Sequence, residues 1–226
     1  SIAGLFAVGL DPSGSADPFG LRRDALGIVQ NLAEAGLSFS VHEGVAEASR
    51  LLPVPATQQA QNKAVAFIAG RLENWLRDEG YPYDVVQAVL AERGDDPAVA
   101  RGTVAALAGV VVQPDWPAVL TAYARGKRIV RKLPDQYPLD VTADPEPATQ
   151  ALLAAYQAAA PSVQAARDVA ALDAALHALV GPINTFFDRV LVMAEDEALS
   201  RARLGLVQHI AALPDGIADL ALLQGF

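Results

Sequence analysis

GPINTFFDRVLVMAEDEALSRARLGLV, residues 181–207, decides the fold class. Its first half sets Phe186 and Phe187 among Ile183, Val190 and Leu191, an apolar cluster at helical spacing. Its second half opens on Glu195, Asp196 and Glu197 and continues with Leu199, Ala202, Leu206 and Ile210, again at helical spacing. Carboxylates at a helix start offset the positive end of the macrodipole, by about 0.3–1 kcal/mol each when exposed. Three adjacent acids on a helix point in different directions, so the triplet reads as a helix start and not as a cation site. The same neighbourhood makes Phe186 and Phe187 core anchors rather than platforms for stacking bases.

Working outward, nearly every other segment has the same character. Asp17-Pro18 reads as N-cap and first helical residue of a helix to about Ala35, with Gly36 as its stop. Helices are expected near 42–52, from 58 to 79 behind the cap Thr57, from Tyr83 to Arg93, from Pro97 to Val112, and from 116 to 133 behind Asp115. The remainder reads as helices over 148–159, 162–180, 183–193, 195–213 and 215–223, the first three divided by prolines. Residues 11–17 and 134–147, rich in Pro, Asp, Gly and Ser, read as loops. The opening SIAGLFAVGL is apolar and reads as the end of a buried helix without a cap. No run alternates as a strand would. The fold class is therefore all-α, antiparallel helices with mostly short connections.

Composition narrows the function. The chain has 226 residues, no cysteine, 52% hydrophobic residues swollen by alanine, and 6% aromatics. Disulfides and thiolate metal sites are excluded, which fits a cytoplasmic protein. No run approaches the ~18 apolar residues of a membrane span. The formal net charge of −9 opposes general nucleic-acid binding, so any RNA contact needs a local basic face.

One such face exists. In VLTAYARGKRIVRKL, residues 119–133, a helical projection puts Val119, Tyr123, Gly126, Ile129, Val130 and Leu133 on one side and Arg125, Lys127, Arg128, Arg131 and Lys132 on the other. Five cations without an interleaved carboxylate exceed what solubility needs and point to phosphate tracking. Arg201 and Arg203 extend the candidate surface, although Glu197 lies four residues before Arg201 and can pair with it.

Enzyme constellations are missing. His42, His177 and His209 share no metal-ligand spacing, and there is no nucleophile elbow or Lys-Ser/Thr phosphate loop. The loop at 9–17 has glycines at a helix entrance but no lysine, so it reads as a plain connection. No catalytic residue and no metal ligand are assigned. A phosphohydrolase of the His–Asp type would need a metal set that this sequence does not supply. A purely structural module remains the main rival to an RNA binder.

The 181–207 stretch closely resembles a signature near the C-terminus of the bacterial glycyl-tRNA synthetase β subunit. LFAVGLDPSGSADPFGLRRDALGIV (5–29) resembles a second hallmark of that family. FIAGRLENWLRDEGYPYDVVQAVLA (67–91), AYARGKRIV (122–130) and IADLALLQ (217–224) resemble three further segments, all in the family's order. The resemblance spans essentially the whole chain. It implies the C-terminal helices of an HD-like domain over 1–56, a helical linker over 57–110, and over 111–226 an anticodon-binding domain of the type named for an Asp-Ala-Leu-Arg signature. It also implies a C-terminal part, beginning inside the HD-like domain and ending at the natural terminus. Its expected partners are glycine tRNA and the synthetase α subunit, with neither DNA nor membrane among them. The resemblance expects no cofactor in this segment and places ATP and magnesium in the α subunit, where glycine is activated. The expected tRNA contacts are Arg125, Lys127, Arg128, Arg131, Lys132, Arg201 and Arg203.

Four positions depart from the family pattern. Ala16 stands where it has Lys, Ala124 where it has Lys, Arg128 where it has Asn, and Asn184 where it has Asp. None disturbs the apolar periodicity. An Asn reads a base edge, whereas an Arg stacks or binds guanine or phosphate, so the chemistry expected at 128 changes.

Overall fold

The computed structural model describes every residue except 13 and 15, so the loop expected at 11–17 lies partly outside the described residues. Among the described residues there are ten α-helices, one short 3-10 turn and no strand. The all-α reading therefore holds. The chain divides into two compact units, Ser1–Ala105 and Ala106–Phe226.

The first unit is built on α4 (Gln58–Asp78), against which α1 (Ile2–Ala7), α2 (Leu21–Glu34), α3 (Val41–Arg50) and α5 (Tyr83–Arg93) pack. Ala64, Ile68, Leu72, Trp75 and Leu76 of α4 are buried, a stripe at steps of three and four. Each large apolar side chain removed from water in this way contributes about 1.5–3 kcal/mol. Phe6 of α1 meets Phe67 with ring centroids 5.4 Å apart. Contrary to the uncapped reading of the opening segment, the Ser1 hydroxyl accepts the Gly4 N–H and caps α1. The expectation at Asp17-Pro18 also needs correction. α2 begins at Leu21 behind Gly20 in the left-handed region at φ 67°, and Asp17 reaches past that turn to accept the Leu21 and Arg22 N–H groups at 2.8 and 3.0 Å. Asp17 thus supplies the capping oxygen from outside the helix, because the turn at Pro18 to Gly20 separates it from the first helical residue.

The second unit contains α7 (Trp116–Val130), α8 (Pro147–Ala166), α9 (Val169–Arg189) and α10 (Glu197–Ala211). α6 (Pro97–Val111) runs across the boundary in sequence between the units. The breaks expected at the prolines do not occur, since Pro161 lies inside α8 and Pro182 inside α9. Each proline removes one N–H bond, but both helices are held by the long hairpin they form with each other, which buries Leu152, Tyr156, Ala160 and Val163 of one and Leu172, Leu176, Leu179 and Ile183 of the other. The hairpin turns at Arg167, in the left-handed region at φ 49°, and Asp168 then caps α9 by accepting the Ala171 N–H at 2.8 Å.

By length and composition alone α9 could cross a membrane, which the count of unbroken apolar residues did not anticipate. In the fold its apolar side packs on α7 and α8. The helix expected over 183–193 stops at Arg189, and residues 190–196 are not helical. In this stretch Val190 and Val192 are buried while Leu191 and Met193 are exposed, the alternation of extended backbone. The acidic triplet acts as a helix start. Asp196 is the N-cap of α10 and accepts the Ala198 and Leu199 N–H groups at 2.8 and 3.1 Å.

Candidate nucleic-acid interface

α7 carries the basic stripe because its other side is fully engaged. Trp116, Val119, Leu120, Tyr123, Gly126 and Val130 are buried. Gly126 lets α10 come close, since a Cβ there would lie 3.2 Å from Val207 Cγ1. The Tyr123 hydroxyl donates to the Ala211 carbonyl at 2.9 Å, which locks Tyr123 into the core and removes it from base stacking. Asp115 precedes α7 but makes no side-chain cap. Its backbone is helical, so its carboxylate turns instead to His177 Nε2 at 3.1 Å. His177 also bonds through Nδ1 to the Asp173 carbonyl, and these two partners raise its pKa, the Asp173 carbonyl contributing most.

The five cations of the stripe have different fates. Arg125 donates to Asn184 Oδ1 at 3.2 Å and to Asp188 at 3.0 Å, and its guanidinium lies over the Phe187 ring at 5.1 Å. Lys127 donates to the Ala211 carbonyl at 3.3 Å and lies 3.9 Å from Asp215. Arg128 is exposed, has no carboxylate partner among the described residues, and lies over the Phe226 ring at 5.2 Å. Arg131, in helical conformation just past α7, and Lys132 are exposed and unpaired among the described residues. Carboxylates absent from the stripe in sequence are thus supplied by α9 and the C-terminal segment. The unneutralised charge contracts to Arg128, Arg131 and Lys132.

Arg201 and Arg203 do not join this charge. Arg201 pairs with Glu197 one turn earlier, as the spacing predicts. Arg203 forms a two-pronged bond with Asp144, Nε to Oδ2 at 2.7 Å and Nη2 to Oδ1 at 3.1 Å, and also donates to the Leu191 carbonyl at 2.9 Å. Asp144 is fully buried and also accepts from the Thr149 hydroxyl at 2.8 Å and the Glu146 N–H at 3.1 Å. The Arg203 guanidinium, ahead of Thr149 and the Glu146 amide, holds the Asp144 carboxyl below the usual carboxylate range, against the opposing effect of burial.

This pair belongs to a lock between α10 and the loop at 134–146. Gln208 donates to the Asp135 carbonyl and accepts the Tyr137 N–H, both at 2.8 Å. Gly205 lets the Pro138 carbonyl approach, for a Cβ there would lie 2.3 Å from that oxygen. The loop follows directly on Arg131 and Lys132, so the lock fixes where the free end of the basic stripe leads.

Several of these partners escape a reading of the sequence alone. Phe226, Phe187, Asp144 and Gln208 lie far along the chain from the cations or loops they hold. A glycine inside an apolar helix, Gly205, is the one local signal of close backbone approach. Among the described residues, no three His, Asp or Glu side chains lie together as a metal site would require.

The second unit is thus an all-α module in which three exposed cations, Arg128, Arg131 and Lys132, cluster at one helix end, and residues 119–217 match the family model for the DALR anticodon binding domain. Residues 1–91 match the model for the glycyl-tRNA synthetase beta subunit. A glycine–tRNA ligase beta subunit of Moorella thermoacetica is 37% identical over 99% of this chain, and that of Vibrio cholerae 34% identical over 99%. A chloroplastic/mitochondrial glycine–tRNA ligase of Arabidopsis thaliana is 33% identical over 100% of this chain, which covers 21% of the plant protein. The chain belongs to the glycyl-tRNA synthetase β-subunit family and corresponds to its C-terminal region. It spans 33% of the length of the two bacterial subunits.

Proposed function

We propose that this chain is a tRNA-binding region of a glycyl-tRNA synthetase, and that the end of α7 faces the anticodon stem–loop of glycine tRNA. In this reading the region holds the tRNA for the α subunit, which carries out ATP- and magnesium-dependent ligation of glycine. The observation that carries the reading is the cluster of Arg128, Arg131 and Lys132, exposed and without carboxylate partners among the described residues, in a chain of net charge −9. Residues three and four apart on a helix share a face, so these cations can meet one RNA backbone together. The match of residues 119–217 to an anticodon-binding model supports the same assignment. Arg125 and Lys127, already paired, form its edge, and Arg203 serves to hold the loop beside it.

Binding of the chain to glycine tRNA and to the same tRNA with its anticodon replaced, at low and moderate salt, tests this. Readout of splayed loop bases predicts a preference for the native anticodon that persists as salt weakens the phosphate contacts. Equal binding of both tRNAs at moderate salt would instead support a scaffold that docks the α subunit.

A further inference from the structure

The Arg128–Phe226 pair differs from every other cation on the face. Phe226 is itself fixed, with its ring 6.3 Å from that of buried Tyr123, whose hydroxyl is bonded to Ala211. Arg128 lies over the outer ring at 5.2 Å and carries no ion pair among the described residues. Arg125 also lies over an aromatic ring, but its donors are engaged by Asn184 and Asp188. Arg131 and Lys132 have charge but no ring beneath them among the described residues. A guanidinium held on one side by an aromatic ring presents its second side to a π-face, and its edge donors to base acceptors.

We propose that Arg128 contacts an unstacked base, that Phe226 is the residue positioning it, and that Arg131 and Lys132 hold phosphates. This rests on the reading that the α7 end binds tRNA. It divides the face into a base-reading stack and a phosphate clamp, and it gives the Asn-to-Arg departure at 128 a chemical meaning. Edge-on reading by an amide is replaced by stacking on a plane.

The test uses the 226-residue chain and glycine tRNA carrying a single abasic site at successive anticodon-loop positions, each titrated over a range of salt. For the unaltered chain, one abasic position should weaken binding about tenfold, the scale of one base–side-chain stack. Arg128→Lys keeps the charge and the surface position but loses the plane. It should abolish the sensitivity to that abasic position and leave the salt slope unchanged. Phe226→Leu, checked for an unchanged melting temperature, should do the same. Arg131→Gln should keep the abasic sensitivity and lower the slope by about 0.7, the value for one single-strand phosphate contact. Retained abasic sensitivity in both Arg128→Lys and Phe226→Leu would overturn the inference while leaving tRNA binding intact. An unaltered chain that binds no tRNA would overturn the functional reading on which the inference stands.

Discussion

Arg203→Ala should destabilise the second unit by about 3–5 kcal/mol, the cost of removing one partner from a buried ion pair. The Arg203 side chain is 12% exposed and that of Asp144 is 0% exposed, so little solvent is available to replace the lost guanidinium. Thr149 and the Glu146 N–H still donate to Asp144, but neither carries charge. The pH dependence gives this prediction its sign. In the unaltered chain the Asp144 pKa is lowered, so the contribution of the pair is fully present above the unfolded carboxylate value near ~4 and is lost as pH falls through the folded one. In the variant the largest cause of that lowering is gone, so the loss of stability toward acid pH should be shallower than in the unaltered chain. Urea unfolding of both proteins at several pH values measures this. A loss below about 1 kcal/mol would place the pair among weakly contributing surface bridges.

Gly205→Ala should also destabilise, although alanine is favoured over glycine in a helix by about 1 kcal/mol. The added Cβ would sit 2.3 Å from the Pro138 carbonyl oxygen and 3.2 Å from its carbon. Those atoms are backbone, held nearby by the two Gln208 bonds, so the loop cannot yield by rotating a side chain. Overpacking of this kind costs about 1–3 kcal/mol, which offsets or exceeds the propensity gain. Gly109 in α6 has nothing within 4 Å of its Cβ position and lacks positive φ, so Gly109→Ala should gain roughly the full propensity difference of about 1 kcal/mol. Melting temperatures that rise equally in both variants would mean that the loop does not pack on α10 as described.

These two positions show what periodicity conveys and what it omits. Of the legible stripe Leu199, Ala202, Leu206 and Ile210, the last three are buried and Leu199, in the first turn, is half-buried. Leu204, Gly205, Val207 and Gln208 are buried as well, Val207 against Gly126 of α7 and Gly205 and Gln208 under the loop at 134–146. A Pro- and Asp-rich segment reads as solvated from composition, and nothing local reveals that Asp144 will be sealed against an arginine 59 residues away. The prolines misled in the opposite sense. Pro161 and Pro182 carry a strong local signal for a break, and packing of the α8–α9 hairpin overrides it.

The basic stripe was equally legible in register and incomplete in charge. Helical projection put Arg125, Lys127, Arg128, Arg131 and Lys132 opposite the apolar side, and the burial of Tyr123, Gly126 and Val130 agrees. Projection of one helix cannot show that Asp188 and Asp215 arrive from other segments to neutralise Arg125 and Lys127. Nor can it show that Phe226, at the far end of the chain, lies beneath Arg128. The family resemblance fixed the class of domain, and the tertiary partners decide which cations remain for a ligand.

The most direct measurement is the salt dependence of glycine-tRNA binding for the chain carrying Arg128→Gln, Arg131→Gln and Lys132→Gln together. All three side chains are exposed and have no carboxylate partner among the described residues, so the substitutions should cost no more than the Arg128–Phe226 ring contact, about 0.5–1 kcal/mol. The account predicts a loss of affinity of at least about tenfold at low salt, and a slope of log affinity against log salt smaller by about 1.4, as two lost single-strand phosphate contacts require. Unchanged affinity and slope in the folded triple variant would contradict it, and would move any RNA contact off the end of α7.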